Sequence, residues 1–445
     1  MAVIAEAKAA VSEDRPGHVA LAQPGLLRNS DFTKFWAGET VSLIGSQITD
    51  LALPLTAVLL LQASAFEVGL LNVARYTPYV LLSLFAGVWF DRHRRRPALI
   101  GSNIGRGILI GIVPLAAVLG LLSIQLVYVV ALLVGTLTVL FDVGCMSYVP
   151  GLVQPRHLAE SNSKMQVSYS IAGISGPGLA GLLIGLLTAP TALVADALSY
   201  LVAAVTLIWI RKEEAPPAPP ADQPAVLTSI AEGLRTVFGN RVLRLLATQS
   251  AVFNLFENVI VTLFLLYAVR QLGLSPSELG LVVGVGSAGA LVGAGLSTRI
   301  IHALGVGRSM AVSTVIGCLS PALLLLPRDS STTSLMLLGG CLAMHGACLA
   351  VFNVNALTLR QSITPNHLLG RMNASYRLLL FGTVPLGAAL GGALGTVFGL
   401  QAALMIGVFG IAVPIAWIPF SPVYRFDDMP ALVAGRFHPE GTKHD

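Results

Sequence analysis

LLNVARYTPYVLLSLFAGVWFDRHRRRPALIGSNIGRGILIGIVPLAAVLGLL, residues 70–122, decides how the rest of the chain is read. Two apolar runs, each long enough for the roughly 20 residues that cross a bilayer, flank a knot of charge made of Asp91, Arg92, Arg94, Arg95 and Arg96. The same alternation continues through all 445 residues, of which 55% are hydrophobic and only 11% charged, with a mean hydropathy of +0.78. Soluble domains carry about 25% charged residues, so water is not the main solvent of this chain. The 45 glycines follow no triplet period, which excludes a collagen-like fold.

Apolar runs bounded by charge, Pro and Gly place spans near 33–61, 67–90, 97–122, 124–148, 165–187 and 191–210, then near 244–269, 279–302, 309–327, 333–358, 376–397 and 401–420. The expected fold is therefore all-α: a polytopic membrane protein of twelve transmembrane helices in two pseudo-symmetric six-helix bundles. The expected division is a tail at 1–31, a first bundle at 32–210, a linker with an amphipathic helix at 211–242, a second bundle at 243–422 and a tail at 423–445. Arg and Lys crowd the even-numbered connections, as at Arg156, Lys164, Arg211, Lys212, Arg235, Arg308 and Arg371. The positive-inside rule then puts both termini in the cytosol, in the cytoplasmic membrane. No apolar core of a cleavable signal precedes the first span.

Within the linker, EEAPPAPPADQP at 213–224 reads as a poorly packing hinge. Ser229 with Glu232 has the spacing of a capping box, and Leu227, Ile230, Leu234, Val237 and Phe238 share one helical face, as in a helix lying on the membrane surface. The halves also repeat: SAFEVGL at 64–70 matches SPSELGL at 275–281, and PRHL at 155–158 matches PNHL at 365–368. GxxxD at 87–91 answers GxxxR at 295–299, and a common displacement marks a duplicated six-span unit.

The residues between spans two and three resemble a known family. GVWFDRHRRR at 87–96 is similar to motif A of the major facilitator superfamily, GxxxDRxGRR, with Gly87, Asp91, Arg92, Arg95 and Arg96 in place and Arg94 at the second glycine. AGISGPGLAG at 172–181 resembles the antiporter motif C, keeping Gly176, Pro177 and Gly181. The resemblance covers about residues 28 to 422 and is nearest the twelve-span drug-exporter branch that includes macrolide and enterobactin exporters. It implies alternating access, with motif A as a cytosolic gate and spans one, four, seven and ten lining a central cavity. The family's Arg in span four is absent. Close packing by small residues explains motif C equally well, and a topogenic role explains the Arg cluster.

Ionisable residues inside spans are costly and mark pathways. Glu39, Ser42, Ser46 and Asp50 recur on one face of span one, and Ser250, Asn254, Glu257, Asn258 and Thr262 form the matching stripe in span seven. The repeat maps Asp142 in span four onto Asn353 in span ten. Asp50 with Arg75 and Asp142 with Arg106 lie at similar depths, so structural ion pairs stand beside a role in the pathway. Glu257 has no evident basic partner and is the first candidate for proton coupling, followed by Asp142 and Asp50. His345 reads as a packed residue, and Asp196 and Arg377 as residues near span ends that cap or snorkel.

The function these readings point to is proton-coupled export of a hydrophobic or amphiphilic small molecule, such as an antibiotic, from a mostly apolar cavity. Siderophore export or uptake by a similar permease is the near alternative, and a membrane receptor or scaffold the distant one. The expected partners are the small molecule, protons and the lipid bilayer, with a monomer as the working unit. No nucleic acid is expected, because the basic residues are dispersed. Cys145, Cys318, Cys341 and Cys348 sit in apolar runs without metal-ligand spacing, so neither a metal nor a cofactor is expected. Neither a GxxxxGK[ST] loop nor an HExxH or GxSxG motif occurs, so the chain does not read as an enzyme.

Overall fold

The computed structural model describes Leu26 and residues 29–214, 226–365 and 368–425, except for the side chains of Leu84, Val88, Asp91, Val226, Leu227, Ser229, Ile230, Pro422 and Arg425. Most of the hinge at 213–224, and Asn366 and His367 of the PNHL repeat, lie outside the described residues. Among the described residues there is no strand. The first bundle holds α1 (Ser30–Leu55), α2 (Ala65–Arg92), α3 (Arg95–Val118), α4 (Ile124–Leu152), α5 (Leu158–Leu186) and α6 (Ala189–Ile208). A connecting helix α7 (Val226–Gly239) leads to the second bundle. This comprises α8 (Arg241–Arg270), α9 (Pro276–Leu304), α10 (Val306–Leu319), α11 (Thr332–Ile363), α12 (Leu369–Phe398) and α13 (Leu400–Ala412). Short 3-10 segments, Ser320–Leu325 and Val413–Trp417, prolong α10 and α13, and a π turn at Thr56–Leu60 prolongs α1. Eleven of the twelve bundle helices are long and apolar enough to cross a bilayer, and α2, with 28 residues, completes the set.

The repeat has a physical cause. Ser64 and Glu67 close a capping box at the start of α2, and Ser275 and Glu278 close the same box at the start of α9. In each, the serine main-chain N–H donates to the glutamate (2.7 and 2.8 Å) and the serine Oγ accepts from the glutamate N–H (3.3 Å in both). Ser229 lies inside α7 rather than at its start, and Glu232 pairs with Arg371 of α12. α7 is docked as well as amphipathic. Val237 is fully buried with Met372 and Tyr376 of α12, while Phe238 faces outward.

Several helices overrun their apolar cores. α5 begins at Leu158 rather than near 165, and α12 at Leu369 rather than near 376. Backbone hydrogen bonding continues past the point where hydropathy falls, because these polar turns find partners outside the apolar zone. Trp36 Nε1, for example, donates to the Lys164 carbonyl at 3.2 Å and to Ser168 Oγ at 2.8 Å.

The bundles share one packing scheme. α1 packs on α5 and α6, α2 on α4, and α3 on α4 and α6; α8 on α12 and α13, α9 on α11, and α10 on α11 and α13 repeat it. The bundles meet through α2 with α12 and α5 with α9. Both seams are closest on the side away from the chain termini. A Cβ on Gly69 would stand 2.6 Å from the Ala388 carbonyl, and one on Gly181 would stand 2.6 Å from that of Pro276. Arg270 at the end of α8 donates from Nη2 to the Ala63 carbonyl at 2.8 Å, tying the bundles together on that side. Toward the terminal side, Gly87, Gly295 and Gly370 have open space where a Cβ would be.

Overfilling one of these contacts should therefore loosen one side alone. Gly181→Val is expected to raise labelling of Ser277→Cys by a membrane-impermeant maleimide applied from the side away from the termini, at an overpacking cost of about 1–3 kcal/mol read as a lower melting temperature. Unchanged labelling with an unchanged melting temperature would contradict the seam.

Candidate functional site

A cavity of about 650 Å³ lies mainly in the first bundle. α1 supplies Glu39, Ser42, Ser46, Thr49 and Asp50 from one face, joined by Arg75 and Tyr79 of α2, Arg106 of α3, Asp142 of α4 and Tyr200 of α6. Its wall is more polar than the sequence suggested: three carboxylates, three guanidiniums and four tyrosines line it, counting Arg377, Tyr76 and Tyr169. Hydropathy averages over a span and hides one polar face of an apolar helix.

Three of the acids within the spans are settled by neighbours. Asp50 forms an ion pair with Arg75, as the depth match allowed. Asp142 does not pair with Arg106; Tyr79 Oη donates to its Oδ2 at 2.7 Å. Tyr79 in turn stacks on Phe381 of α12, with centroids 5.5 Å apart, so this acid is held at the seam between bundles. Asp196 is not at a span end. It is completely buried between α1 and α6, accepting from Thr49 Oγ1 (2.5 Å) and Ser199 Oγ (2.9 Å), and its role is packing. Arg377, eight residues into α12 rather than at its tip, lies on the rim of the cavity with Nη1 3.8 Å from Met146 Sδ.

A smaller cavity of about 180 Å³ in the second bundle is lined by Ser250, Asn254 and Glu257 of α8 and Asn353 of α11, among Phe253, Phe352, Leu349 and Leu380. Asn258 is turned away from it: its Nδ2 donates to the Asn254 carbonyl at 2.8 Å, and its Cβ faces Gly387 of α12. Thr262 is buried at the seam, accepting from Asn72 of α2 at 3.3 Å. Glu257 does have a basic partner. His345 of α11 brings Nε2 to 3.2 Å from its Oε2, a contact across two helices that sequence separation conceals.

The environment of His345 fixes how protons are arranged. Its Nδ1 lies 2.8 Å from the Gly317 carbonyl, which only accepts, so Nδ1 carries hydrogen. Phe253 stacks parallel on the ring, with centroids 5.9 Å apart. Nε2 therefore meets the carboxylate with either a proton of its own or a lone pair facing a protonated carboxyl. Two lone pairs at this separation repel, so the contact is favourable when one of the two groups carries a proton; Nε2 stands at ion-pair distance without the alignment of a hydrogen bond.

The profile of the Major Facilitator Superfamily matches residues 35–382 and, overlapping, 249–440. The chain belongs to that superfamily. Among its curated relatives, the enterobactin exporter EntS of Citrobacter koseri is 25% identical over 391 residues, 86% of this chain and 89% of the relative. The multidrug efflux pump Tap of Mycolicibacterium fortuitum is 27% identical over 389 residues, 83% of this chain and 92% of the pump. Among solved structures, the nucleoside transporter NupG superposes with a TM-score of 0.70 at 13% identity, covering 89% of this chain and 99% of that one. An inward-facing bacterial homologue of ferroportin gives 0.68 at 19% identity over the same shares. The fold is that of a major facilitator, and the chain is a multi-pass membrane transporter rather than an enzyme.

The two motif segments lie in different places, one inside the first bundle and one at the seam between bundles. Arg95 and Arg96 of motif A are held within the first bundle: their main-chain N–H groups donate to Glu214 at 2.7 to 3.0 Å, capping α3. Arg95 Nε donates to Ser147 at 3.0 Å, and Arg96 donates to the Leu207 and Ile208 carbonyls at 3.1 and 2.9 Å, capping α6. Arg92 ends α2 exposed, and the side chain of Asp91 lies outside the described residues. In motif C, Gly176 packs on the Gln47 side chain, while Pro177 and Gly181 form the α5–α9 contact with Gly280.

Breaking the ion pair of the first cavity tests how much it stabilises the bundle. Arg75→Gln should lower stability by about 1–3 kcal/mol, between the values for exposed and buried pairs, because Asp50 is partly open to the cavity. Adding Asp50→Asn should recover most of the loss in a thermal melt of purified protein. No recovery in the double variant would show that the two side chains act independently.

Proposed function

We propose that the chain is a secondary exporter of the cytoplasmic membrane with both termini in the cytosol. It exchanges protons for an amphiphilic organic molecule taken up from the terminal side. The observation that carries the coupling is the Glu257–His345 contact, a one-proton unit on the wall of the second-bundle cavity. Glu257 lies 16 residues from the start of α8 and 13 from its end, which is mid-depth. A proton held between the two side chains favours their contact. Its loss sets two lone pairs against each other and separates α8 from α11, giving the proton a differential effect on two arrangements of the helices. Asp142 and Asp50, each already engaged with a neighbour, are secondary in this scheme.

Export is supported by the relatives, whose names describe an enterobactin exporter and a multidrug efflux pump. The tight glycine seams lie opposite the side that the Arg and Lys distribution assigns to the cytosol, which supports a conformer that loads from inside. Motif A then acts as the cytosolic gate in the opposite state. Here its arginines are occupied within one bundle and leave the mouth free. The unequal walls suit an amphiphile whose polar end contacts the first bundle and whose apolar body contacts Phe253, Phe352 and Leu380. The tyrosine-rich wall of the larger cavity also favours a second reading, export of a polyphenolic siderophore.

The test uses inverted vesicles given a proton gradient and a panel of labelled antibiotics. Accumulation should collapse when an uncoupler is added. Glu257→Gln and His345→Gln should each reduce gradient-driven accumulation to the level of empty vesicles while preserving downhill exchange. Accumulation that survives the uncoupler, or full pumping by Glu257→Gln, would refute proton coupling through this pair.

A further inference from the structure

Three charged groups on the wall of the larger cavity have no ion-pair partner: Arg377 of the second bundle, which rests against Met146 and Phe381, and Glu39 and Arg106 of the first bundle. Glu39 is 6% exposed, and among the described residues its carboxylate accepts no hydrogen bond and joins no ion pair. Arg106 is 4% exposed and has no carboxylate partner; one Nη donates to Asn103 Oδ1 at 2.5 Å, and its Nε has no acceptor. The rings of Phe141 and Tyr200 lie 4.4 and 4.3 Å from its guanidinium carbon and hold the group in place. These two groups do not pair with each other.

They nevertheless share a level in the bundle. Glu39 is nine residues from the terminal-side end of α1 and Arg106 eleven residues from that of α3, so both lie about 15 Å in at 1.5 Å per residue. An unpaired charge buried in a bundle costs several kcal/mol, and cavity water offsets that cost only while the site is empty. A ligand that displaces the water must replace what it removes. A neutral body would strand both charges, and a ligand with a single charge would strand the other one.

We infer that Glu39 and Arg106 together form the recognition site for an amphoteric head group, one carrying both an amine and a carboxylate. This inference rests on the reading of the cavity as a substrate site. Glu39 receives the ammonium group and Arg106 receives the carboxylate through the part of its guanidinium that lines the cavity. The apolar remainder extends toward the second bundle. Asp142 and Asp50 do not compete for the ammonium group, since Tyr79 and Arg75 already engage them.

The experiment measures equilibrium binding of three probes with one aromatic body to the purified full chain in nanodiscs. The probes are naphthylalanine (amphoteric), its methyl ester (cation only) and its N-acetyl derivative (anion only). The amphoteric probe should bind about tenfold or more tightly than either analogue, the scale of one charge-assisted hydrogen bond. Glu39→Gln should erase its advantage over the anion and Arg106→Gln its advantage over the cation. Each variant should keep its affinity for the probe it does not address, which shows that it is folded. Equal binding of all three probes to the unmodified protein, or binding of none, overturns the inference. Proton coupling is judged separately by the uncoupler experiment, so the two readings fail independently.

Discussion

Close approach of backbone to backbone is what the rest of this structure depends on. Where α2 meets α12 and α5 meets α9, glycines let carbonyls and Cα atoms come to distances at which any side chain would clash. In lipid there is little hydrophobic force to press two helical bundles together, so packing of small residues has to supply the adhesion. That adhesion is confined to the side away from the termini. On the other side equivalent glycines face open space, and the polar faces of the inner helices are left lining a cavity.

A second constraint shapes what the cavity contains. Charges within the bundles are few, and most have found a neighbour: Asp50 with Arg75, Asp142 with Tyr79, Asp196 with Thr49 and Ser199, Glu257 with His345. These arrangements differ in kind. Asp196 is locked into the helix packing, and Asp142 is tied to the seam through Tyr79 and Phe381. The Glu257–His345 contact joins α8 to α11 at ion-pair distance. Glu39 and Arg106 of the first bundle face the cavity without an ion-pair partner.

The sequence made the architecture legible because its signals are local. Span lengths, Arg-rich connections and the paired SAFE and SPSE starts all depend on residues within a few positions of one another, and the capping boxes that explain the repeat are themselves local hydrogen bonds. The polar stripe of span one was also readable, since its residues recur at helical spacing and do line the larger cavity. Span seven was only partly readable: Asn254 and Glu257 reach the smaller cavity, whereas Asn258 turns toward its own helix and Gly387. A helical stripe is wider than the opening it borders.

Helices and their order were thus set by local composition, because lipid tolerates few alternatives to a hydrogen-bonded apolar helix. Partnership was decided by the tertiary structure alone. His345 lies 88 positions from Glu257, and Tyr79 lies 63 positions from Asp142, so no periodicity connects them. Depth matching on adjacent helices found Asp50 with Arg75 but mistook Asp142 for a partner of Arg106. Depth restricts only one coordinate, and rotation of each helix about its axis, fixed by packing across the whole bundle, determines which side chains meet.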